Sequence, residues 1–552
     1  MRSLAKAIVA AAVVFFALGG SAAGAAPNVV LILTDDQRWD TLWAMPTVQT
    51  ELVDEGITFT NSFTVNPLCC PSRASLLTGR YSHATHVYMN RGPRGLPSFD
   101  ARTTIARALR AAGYRTALIG KYLNGYTTTA VPFGWDRWVV FTGSLDEGQP
   151  VGYYDYDLSV DGTLVSHGSA PQDYSTDVLA REAEAFVRNA RQPFFLLFAP
   201  FAPHGPATPA PRHENAFPAL APWRPPSYDE EDVSDKPTWL RRRARIGPAV
   251  AGQIDALRTN QLRSLLAVDD AVGTIVDALE DRGLLENTLV AYTSDNGQFW
   301  GEHRLRAKMA AYDESIRVPL VVRYDALTGS EPGSEDRLVA NIDIAPTLAR
   351  LAGIQRRFDG RSLRPLLTGA PVEWRTSFLI ENLRLNPGNV PTYCAVRASR
   401  WTYVVIRTGE EELYDLRSDP YQLTNLAGDP ARHAQLLTMR ARVRELCDPP
   451  PPNMNLDDVC TQEGSSAANT LVGTPRSDGL CGKGGNDYLS GREGKDLLRG
   501  GPGRDRILGG PDGDRIRARD GVRDEIVCGL GDDRVFADKR DDVAPDCERV
   551  TR

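Results

Sequence analysis

The stretch "NVVLILTDD", Asn28 to Asp36, is apolar and β-branched until it ends on two adjacent carboxylates. A run with no polar alternation predicts a strand buried on both faces, as in parallel sheets. "QPFFLLFAPFAPH" (192–204) and "NTLVAYTSDNG" (287–297) follow the same plan and also close on polar residues. Helical patterns lie between the strands. "TTIARALRAAGY" (103–114) stops at Gly113 before the strand "RTALIGKY" (115–122), and "NQLRSLLAVDDAVGTIVDALEDRG" (260–283) carries apolar residues at helical spacing. This alternation predicts an α/β domain over 26–358, with a large, mainly parallel sheet covered on both faces. Ligands of such sheets bind outside the carboxyl ends of the strands, so the polar strand ends are the candidate site.

Beyond this domain the texture changes. Shorter alternating runs such as "TYCAVRASRWTYVVIR" (392–407) predict a smaller α+β subdomain with an antiparallel sheet over 359–447. A Pro-rich and then polar stretch, 448–472, reads as a linker. From residue 473 the chain repeats every nine residues: "GTPRSDGLC", "GKGGNDYLS", "GREGKDLLR", "GGPGRDRIL", "GGPDGDRIR". Each unit has Asp at its sixth position (Asp478, Asp487, Asp496, Asp505, Asp514) and an aliphatic residue at its eighth. The phase then slips by one to Asp524 and Asp533. The pattern resembles the glycine-rich nonapeptide of calcium-binding parallel β-rolls, with calcium sites at the five Asp positions. There glycines form the turns, Asp and turn carbonyls offer hard oxygens, and the aliphatic position stacks inward.

The first 25 residues predict a cleaved signal peptide. Arg2 and Lys6 precede an apolar run from Ala7 to about Leu18 and an Ala23-Gly24-Ala25 cleavage site. That run is shorter than the roughly 20 residues a spanning helix needs. No later segment is apolar enough to span, so a secreted, extracellular protein is expected. A net charge of −7 gives no reason to expect nucleic acid as partner, and the chain reads as having no basic run. Of eight cysteines, six lie outside the adjacent pair Cys69-Cys70, an even number that suggests disulfides. Sequence proximity favours Cys528–Cys547 first and Cys460–Cys481 second.

Three features carry chemistry. Asp35-Asp36 and Asp295-Asn296 each close a buried strand, and together they make a hard oxygen site for Ca²⁺ or Mg²⁺. A bare Asp pair is more readily a helix cap on a loop, so the convergence decides. A thiol is a poor ligand for such a metal. The third feature, "NPLCCPSRASLLTGRY" (66–81), nevertheless places a cysteine pair before Pro-Ser-Arg.

Here the chain resembles the type I sulfatase family, whose signature is Cys-x-Pro-Ser-Arg followed by Thr-Gly-Arg. Only Cys69 has Pro two and Arg four positions later. "GKYLN" (120–124), "GWDRW" (134–138), "YYDYDLS" (153–159) and "EDVSDKP" (231–237) are similar to N-acetylglucosamine-6-sulfatases and related heparan-type sulfatases. The resemblance implies an alkaline-phosphatase-like sandwich and a Cys69 oxidised to formylglycine by a formylglycine-generating enzyme. The hydrated aldehyde would be the nucleophile, and Cys70 would stay a thiol. It implies that Asp35, Asp36, Asp295 and Asn296 bind Ca²⁺ with residue 69, and that Arg73 holds the diol. Lys121, His204 and Lys308 would contact the sulfate or the leaving oxygen, with His204 as acid and Asp295 as acceptor of a diol proton. The substrate implied is a sulfated carbohydrate, such as a glucosamine-6-sulfate, or an aryl sulfate.

Two departures stand out. Leu123 occupies a place where many arylsulfatases have histidine, and "RLRAKMAAY" (304–312) lacks the Gly- or Pro-containing loop usual before the lysine. His83, His86 and His303 are candidates to line the pocket, whereas His167, His213 and His433 are expected on the surface. A phosphodiesterase or phosphonate hydrolase on the same fold is the alternative within enzymes. A non-catalytic, calcium-dependent carbohydrate-binding protein is the alternative outside them.

Overall fold

The computed structural model describes residues 26–143, 152–329, 332–384, 390–456 and 459–552. The expected signal peptide lies outside the described residues. Ten strands form the large sheet: β1 (Asn28–Thr34), β2 (Ile57–Phe59), β3 (Arg115–Gly120), β4 (Arg137–Thr142), β5 (Tyr156–Val160), β6 (Thr163–His167), β7 (Phe194–Ala199), β8 (Thr288–Ser294), β9 (Leu320–Arg323) and β10 (Gly333–Glu335). Their order is β10-β2-β9-β8-β1-β7-β3-β4-β5-β6. The five central strands, β8, β1, β7, β3 and β4, run parallel, and the flanking pairs β9 to β8 and β5 to β4 run antiparallel.

Strand β1 shows why its sequence has no polar interruption. Val30 and Ile32 enter one apolar layer, together with α2 (Ser175–Asn189) and α3 (Pro248–Asp281). Val29, Leu31 and Leu33 enter the other layer, which contains α1 (Cys69–Thr78). Burying each such side chain contributes ~1.5–3 kcal/mol, so β1 is a firm base for the carboxylates at its end.

A four-stranded antiparallel sheet follows: β11 (Ser377–Asn382), β12 (Tyr393–Ala398), β13 (Trp401–Ile406) and β14 (Glu411–Asp415). Helix α4 (His433–Leu446) packs on it, and a Cys394–Cys447 disulfide ties β12 to the residue after α4.

The repeats wind into a β-roll of two parallel sheets. Leu480, Leu489, Leu498, Ile507, Ile516, Ile526 and Val535 form a narrow core between them. Leu497 pairs with Arg515, 18 residues on, whereas Arg515 pairs with Arg534, 19 on, because of the phase slip. Disulfides Cys460–Cys481 and Cys528–Cys547 pin the two ends, as sequence proximity suggested. The roll begins earlier than expected. Gln462–Glu463 and Thr470–Val472, inside the stretch read as linker, are already strands paired with Leu480–Cys481 and Tyr488–Ser490. They lack the Gly-Asp signature, and backbone pairing to the next turn holds them in place. No helix among the described residues is long and apolar enough to cross a membrane.

Candidate active site

The candidate residues meet at the carboxyl ends of the central strands. Asp35-Asp36 follows β1, Lys121 follows β3, His204 follows β7, and Asp295-Asn296 follows β8. Two glycines permit this crowding. A Cβ on Gly120 would lie 1.9 Å from the Ala199 carbonyl oxygen, and one on Gly297 would lie 2.2 Å from that of Glu314. Adjacent residues on a strand point to opposite sides, but Asp36 has a φ of 68°. This left-handed turn brings both carboxylates to one place.

The cysteine-bearing stretch forms α1, with Cys69 at its first turn and every residue from Cys69 to Thr78 buried. Pro71 is tolerated there because first-turn amides have no intrahelical partner. Gly79 ends the helix at a φ of 67°. Ser72 Oγ donates to the Asp295 carbonyl oxygen at 2.5 Å, and Arg73 Nε donates to Asp295 Oδ2 at 2.7 Å. Arg73 Nη1 also donates to the Lys121 carbonyl oxygen at 2.8 Å. The signature is thus bolted to the end of β8.

Around Cys69 the charges interlock. Lys121 Nζ pairs with Asp35 Oδ2, and Lys308 Nζ pairs with Asp36 Oδ1 and lies 2.8 Å from Cys69 Sγ. Cys69 Sγ is 3.4 Å from Asp35 Oδ1, and Arg73 Nη2 is 3.7 Å from Asp35 Oδ2. His204 Nδ1 is 2.7 Å from the Gly205 carbonyl oxygen, which can only accept, so Nδ1 carries a proton. Its Nε2 faces inward, 3.7 Å from Asp36 Oδ2.

Burial raises the Asp35 carboxyl, but Lys121, His204, Arg73 and Lys308 outweigh it and hold Asp35 well below the usual carboxylate range. Asp295 goes the other way, raised by burial and by the charge on Asp35. Burial and Asp35 push the Cys69 thiol up to about 12. At neutral pH such a thiol is protonated, a poor nucleophile and a poor ligand for a hard cation. Cys70 points instead into the apolar layer with Tyr122 and Tyr126, and neither cysteine is disulfide-bonded.

The donor set fits a hard divalent ion. Asp35, Asp36, Cys69 and His204 offer ligand atoms within 4.8 Å of one another. Asp295 Oδ1 accepts from the Asp36 amide at 3.2 Å, which places this carboxylate beside them. Asn296 spends its amide nitrogen on Asp36 Oδ1 at 2.6 Å and on the Gly297 carbonyl oxygen. Its Oδ1 is buried without a hydrogen-bond partner. An unsatisfied buried acceptor costs about 1–3 kcal/mol, which a bound cation would remove. Three carboxylates and three fixed cations nearly cancel; a divalent ion would leave the pocket positive and suited to an anionic ester.

The site opens into a cavity of 1520 Å³ whose described lining includes Arg91, Arg243, Arg304, Arg306 and Lys308 but no carboxylate. This corrects the expectation about basic runs: "RRRAR" at 241–245 is short, yet Arg243 and Arg245 line the cavity. Other expectations shift too. His303 is fully buried, 2.7 Å from Glu230 and stacked on Tyr312, because it supports the loop and does not face the cavity. His83 pairs with Glu381 and stacks on Tyr81, and neither it nor His86 lines the cavity. Leu123 is buried in the apolar layer.

In the roll, each Asp shares one pattern. Asp496 Oδ1 accepts from the Asp478 amide, Asp505 Oδ1 from Asp487, and Asp514 Oδ1 from Asp496. The second oxygens of Asp487, Asp496, Asp505, Asp514, Asp524 and Asp533 are buried without partners. Burial pushes Asp496 up to about 8, Asp514 and Asp524 to about 7, and Asp505 to about 6. Asp478 departs from the expected set, since Thr461 and Thr474 satisfy both its oxygens, while Asp524 and Asp533 join it.

Carboxylates, a hard acceptor and clustered cations at the ends of parallel strands suit an enzyme that binds anionic esters and a divalent ion. Comparison with known proteins narrows this class. The sulfatase family profile matches residues 27–354, an N-sulphoglucosamine sulphohydrolase C-terminal profile matches 301–448, and an RTX calcium-binding nonapeptide repeat matches 482–516. The chain belongs to the sulfatase family, and its catalytic part is that of a sulfuric ester hydrolase. N-acetylglucosamine-6-sulfatases of Capra hircus and Homo sapiens are both 35% identical over 73% of this chain, covering 80% and 81% of their own lengths. An extracellular sulfatase SULF-1 homolog of Drosophila melanogaster is 36% identical over 64% of this chain, which spans 33% of that relative. Among solved structures, BT4656 in complex with its substrate D-glucosamine-2-N,6-O-disulfate is 25% identical. It has a TM-score of 0.67 and covers 76% of this chain and 97% of its own. A phosphonate monoester hydrolase of Agrobacterium radiobacter, 24% identical with a TM-score of 0.60 over 76% of this chain and 97% of its own, shares the fold.

Proposed function

We propose that the chain is an exported sulfatase of glucosamine-type sulfate esters in sulfated polysaccharides, matured by conversion of Cys69 to formylglycine. The relatives above support the sugar, and the three disulfides suit an oxidising compartment. One observation carries the maturation. Cys69 Sγ, a soft atom, stands 3.4 Å from Asp35 Oδ1 and 2.8 Å from Lys308 Nζ in a cluster of hard donors, where an oxygen on residue 69 suits the site and a thiol does not.

Asp35, Asp36, Asp295 and Asn296 would hold Ca²⁺, and residue 69 as an aldehyde hydrate would supply the oxygen nucleophile. The other side chains have roles their positions suggest. Arg73 orients residue 69 by fixing Asp295 after β8 and the Lys121 backbone after β3. Buried Lys121 and half-buried Lys308, both charged, neutralise the sulfate oxygens as charge grows on them. His204 presents Nε2 toward the cavity and hands a proton to the departing sugar oxygen. With Leu123 apolar, the His204 imidazole, left neutral once it has handed over its proton and within 4.8 Å of residue 69, is the group that takes a proton when sulfate leaves, while Lys308 stays a charged donor.

The test is sulfate release from N-acetylglucosamine-6-sulfate by protein made in a host able to generate formylglycine, with and without a chelator. Release that needs calcium supports the reading. Faster cleavage of a phosphonate ester or phosphodiester than of any sulfate ester would refute it.

A further inference from the structure

One wall of the cavity beside residue 69 carries arginines of two kinds. The run "RRRAR" (241–245) brings Arg243 and Arg245 to it, and the loop 304–309 brings Arg304, Arg306 and Lys308. Two of these guanidiniums are already occupied. Arg245 Nε pairs with Asp229 Oδ2 at 2.8 Å. Arg304 donates from Nε, Nη1 and Nη2 to the carbonyl oxygens of Glu230, Arg243 and Glu231 at 2.9, 3.1 and 2.9 Å. Arg243 and Arg306 differ. Among the described residues neither guanidinium has an ion pair or a hydrogen bond; Arg243 lies over the Trp239 ring, 5.9 Å from its centroid.

The backbone holds this pair beside the reacting residue. Arg306 is in register with Trp300 in a two-stranded ladder, Phe299–Trp300 with Arg306–Ala307. Ala307 then turns at a φ of 70°, and Lys308 reaches residue 69, with Nζ 2.8 Å from Sγ. Two residues of chain span at most about 7 Å, so Arg306 starts close to the group that meets the ester. The bond from Arg304 Nη1 to the Arg243 carbonyl oxygen ties the second arginine to the same loop. That loop belongs to the stretch 304–312, where the sequence departs from the sulfatase resemblance.

An exposed arginine by itself needs no partner, because water solvates it, and Arg306 alone would be such a case. Arg243 is half-buried, and burial and the Arg306 charge both lower its guanidinium. No carboxylate in the described lining offsets the two. An anion placed between them would favour the charged form of both.

We infer that Arg243 and Arg306 form a subsite for a second anionic group, so that the preferred substrate carries a sulfate or carboxylate beyond the ester that is cleaved, on the same sugar or the adjoining one. A guanidinium suits this task because its planar fork donates two parallel hydrogen bonds to such a group. That the cleaved ester is a sulfate rests on the function proposed above; the two unneutralised guanidiniums in the cavity do not.

The experiment compares kcat/KM of the full, calcium-loaded, formylglycine-containing protein on three substrates. These are 6-sulfated N-acetylglucosamine, the same sugar with an N-sulfate in place of the acetyl group, and 6-sulfated N-acetylglucosamine joined to a uronic acid. The first has only the scissile anion, the second adds one on the same ring, and the third adds one on the neighbour. At least one doubly charged substrate should be favoured about tenfold or more over the first, the factor expected of a hydrogen bond to a charged group. Which one is favoured gives the source of the anion. Arg243→Gln/Arg306→Gln should reduce that preference to within about twofold, chiefly through KM, because the contact is the same in ground and transition states. Arg306→Gln alone, at an exposed position, tests the subsite with little risk to folding, and Arg306→Lys should keep more of the preference. Arg242→Gln, in the same run but outside the cavity lining, should change it less than about twofold. Circular dichroism and the thermal midpoint report folding of every variant. No preference in the parent, or an undiminished preference in the folded double variant, would overturn the inference. If the parent released no sulfate from any of the three, calorimetric binding of the same sugars to the Cys69→Ala chain still decides. A binding preference that depends on Arg243 and Arg306 would then refute only the sulfatase reading, and its absence would overturn the subsite.

Discussion

Glu314 is a buried acid that the chemistry does not use, and its environment makes a quantitative prediction. It is 6% exposed, and its carboxyl accepts one long hydrogen bond from Ser227 Oγ at 3.4 Å. Burial, helped by the Glu302 charge and opposed by His303 and Arg38, pushes it up to about 7 from 4.5. The folded state therefore holds this proton more tightly than the unfolded state. The associated stability is fully present below about pH 4.5 and is lost as pH rises through about 7. A shift of about 2.5 units at ~1.4 kcal/mol each sets a ceiling of about 3.4 kcal/mol, and local relaxation brings it to ~2–3. Glu314→Gln cannot ionise. It should stabilise the protein by about 1 kcal/mol at pH 5 and by ~2–3 kcal/mol at pH 8. Unfolding of so large a chain is not two-state, so the assay is the thermal midpoint and inactivation half-life at both pH values. At roughly 2 °C per kcal/mol, the midpoint gain should be ~2 °C at pH 5 and ~4 °C or more at pH 8. Equal shifts at the two pH values would refute the reasoning.

Other perturbations have equally definite outcomes. Asn296→Ala should raise the calcium concentration for half-maximal activity by about tenfold or more, read by titration from chelated enzyme. Lys308→Met should lower kcat/KM by ~10²–10³-fold without loss of folded protein by circular dichroism. Ala307 has a φ of 70°, and Ala307→Gly should raise stability by about 1 kcal/mol, seen as slower thermal inactivation. In chelator the roll should lose stability as pH rises from about 4 to 8, because Asp496, Asp505, Asp514 and Asp524 are raised by burial. Calcium, which needs them ionised, should reverse that slope in a pH series of melting curves.

Much of this was legible from residue order. "NVVLILTDD" and "NTLVAYTSDNG" announce buried parallel strands because a strand covered on both faces cannot afford polar interruptions, and the polar residues mark where each strand leaves the core. The nine-residue period marks the roll because every half-turn needs the same turn glycines and inward aliphatic. Other features were hidden for physical reasons. The φ of 68° at Asp36 leaves no compositional trace, since Asp tolerates that conformation. The burial of His303 depends on Glu230 and Tyr312, neither of which signals its partner locally. The pairing of residues 18 and 19 apart in the roll follows only once its winding is known. The cationic lining of the cavity gathers Arg91, Arg243 and Arg306 from separate loops.

The account rests most directly on the chemical state of residue 69. Protein purified from its native host, cleaved and measured by mass spectrometry, should yield the peptide spanning 69 as an aldehyde or its hydrate, captured by a hydrazide probe, with Cys70 still alkylated as a thiol. An unmodified Cys69 in every molecule of a preparation that still releases sulfate would contradict it.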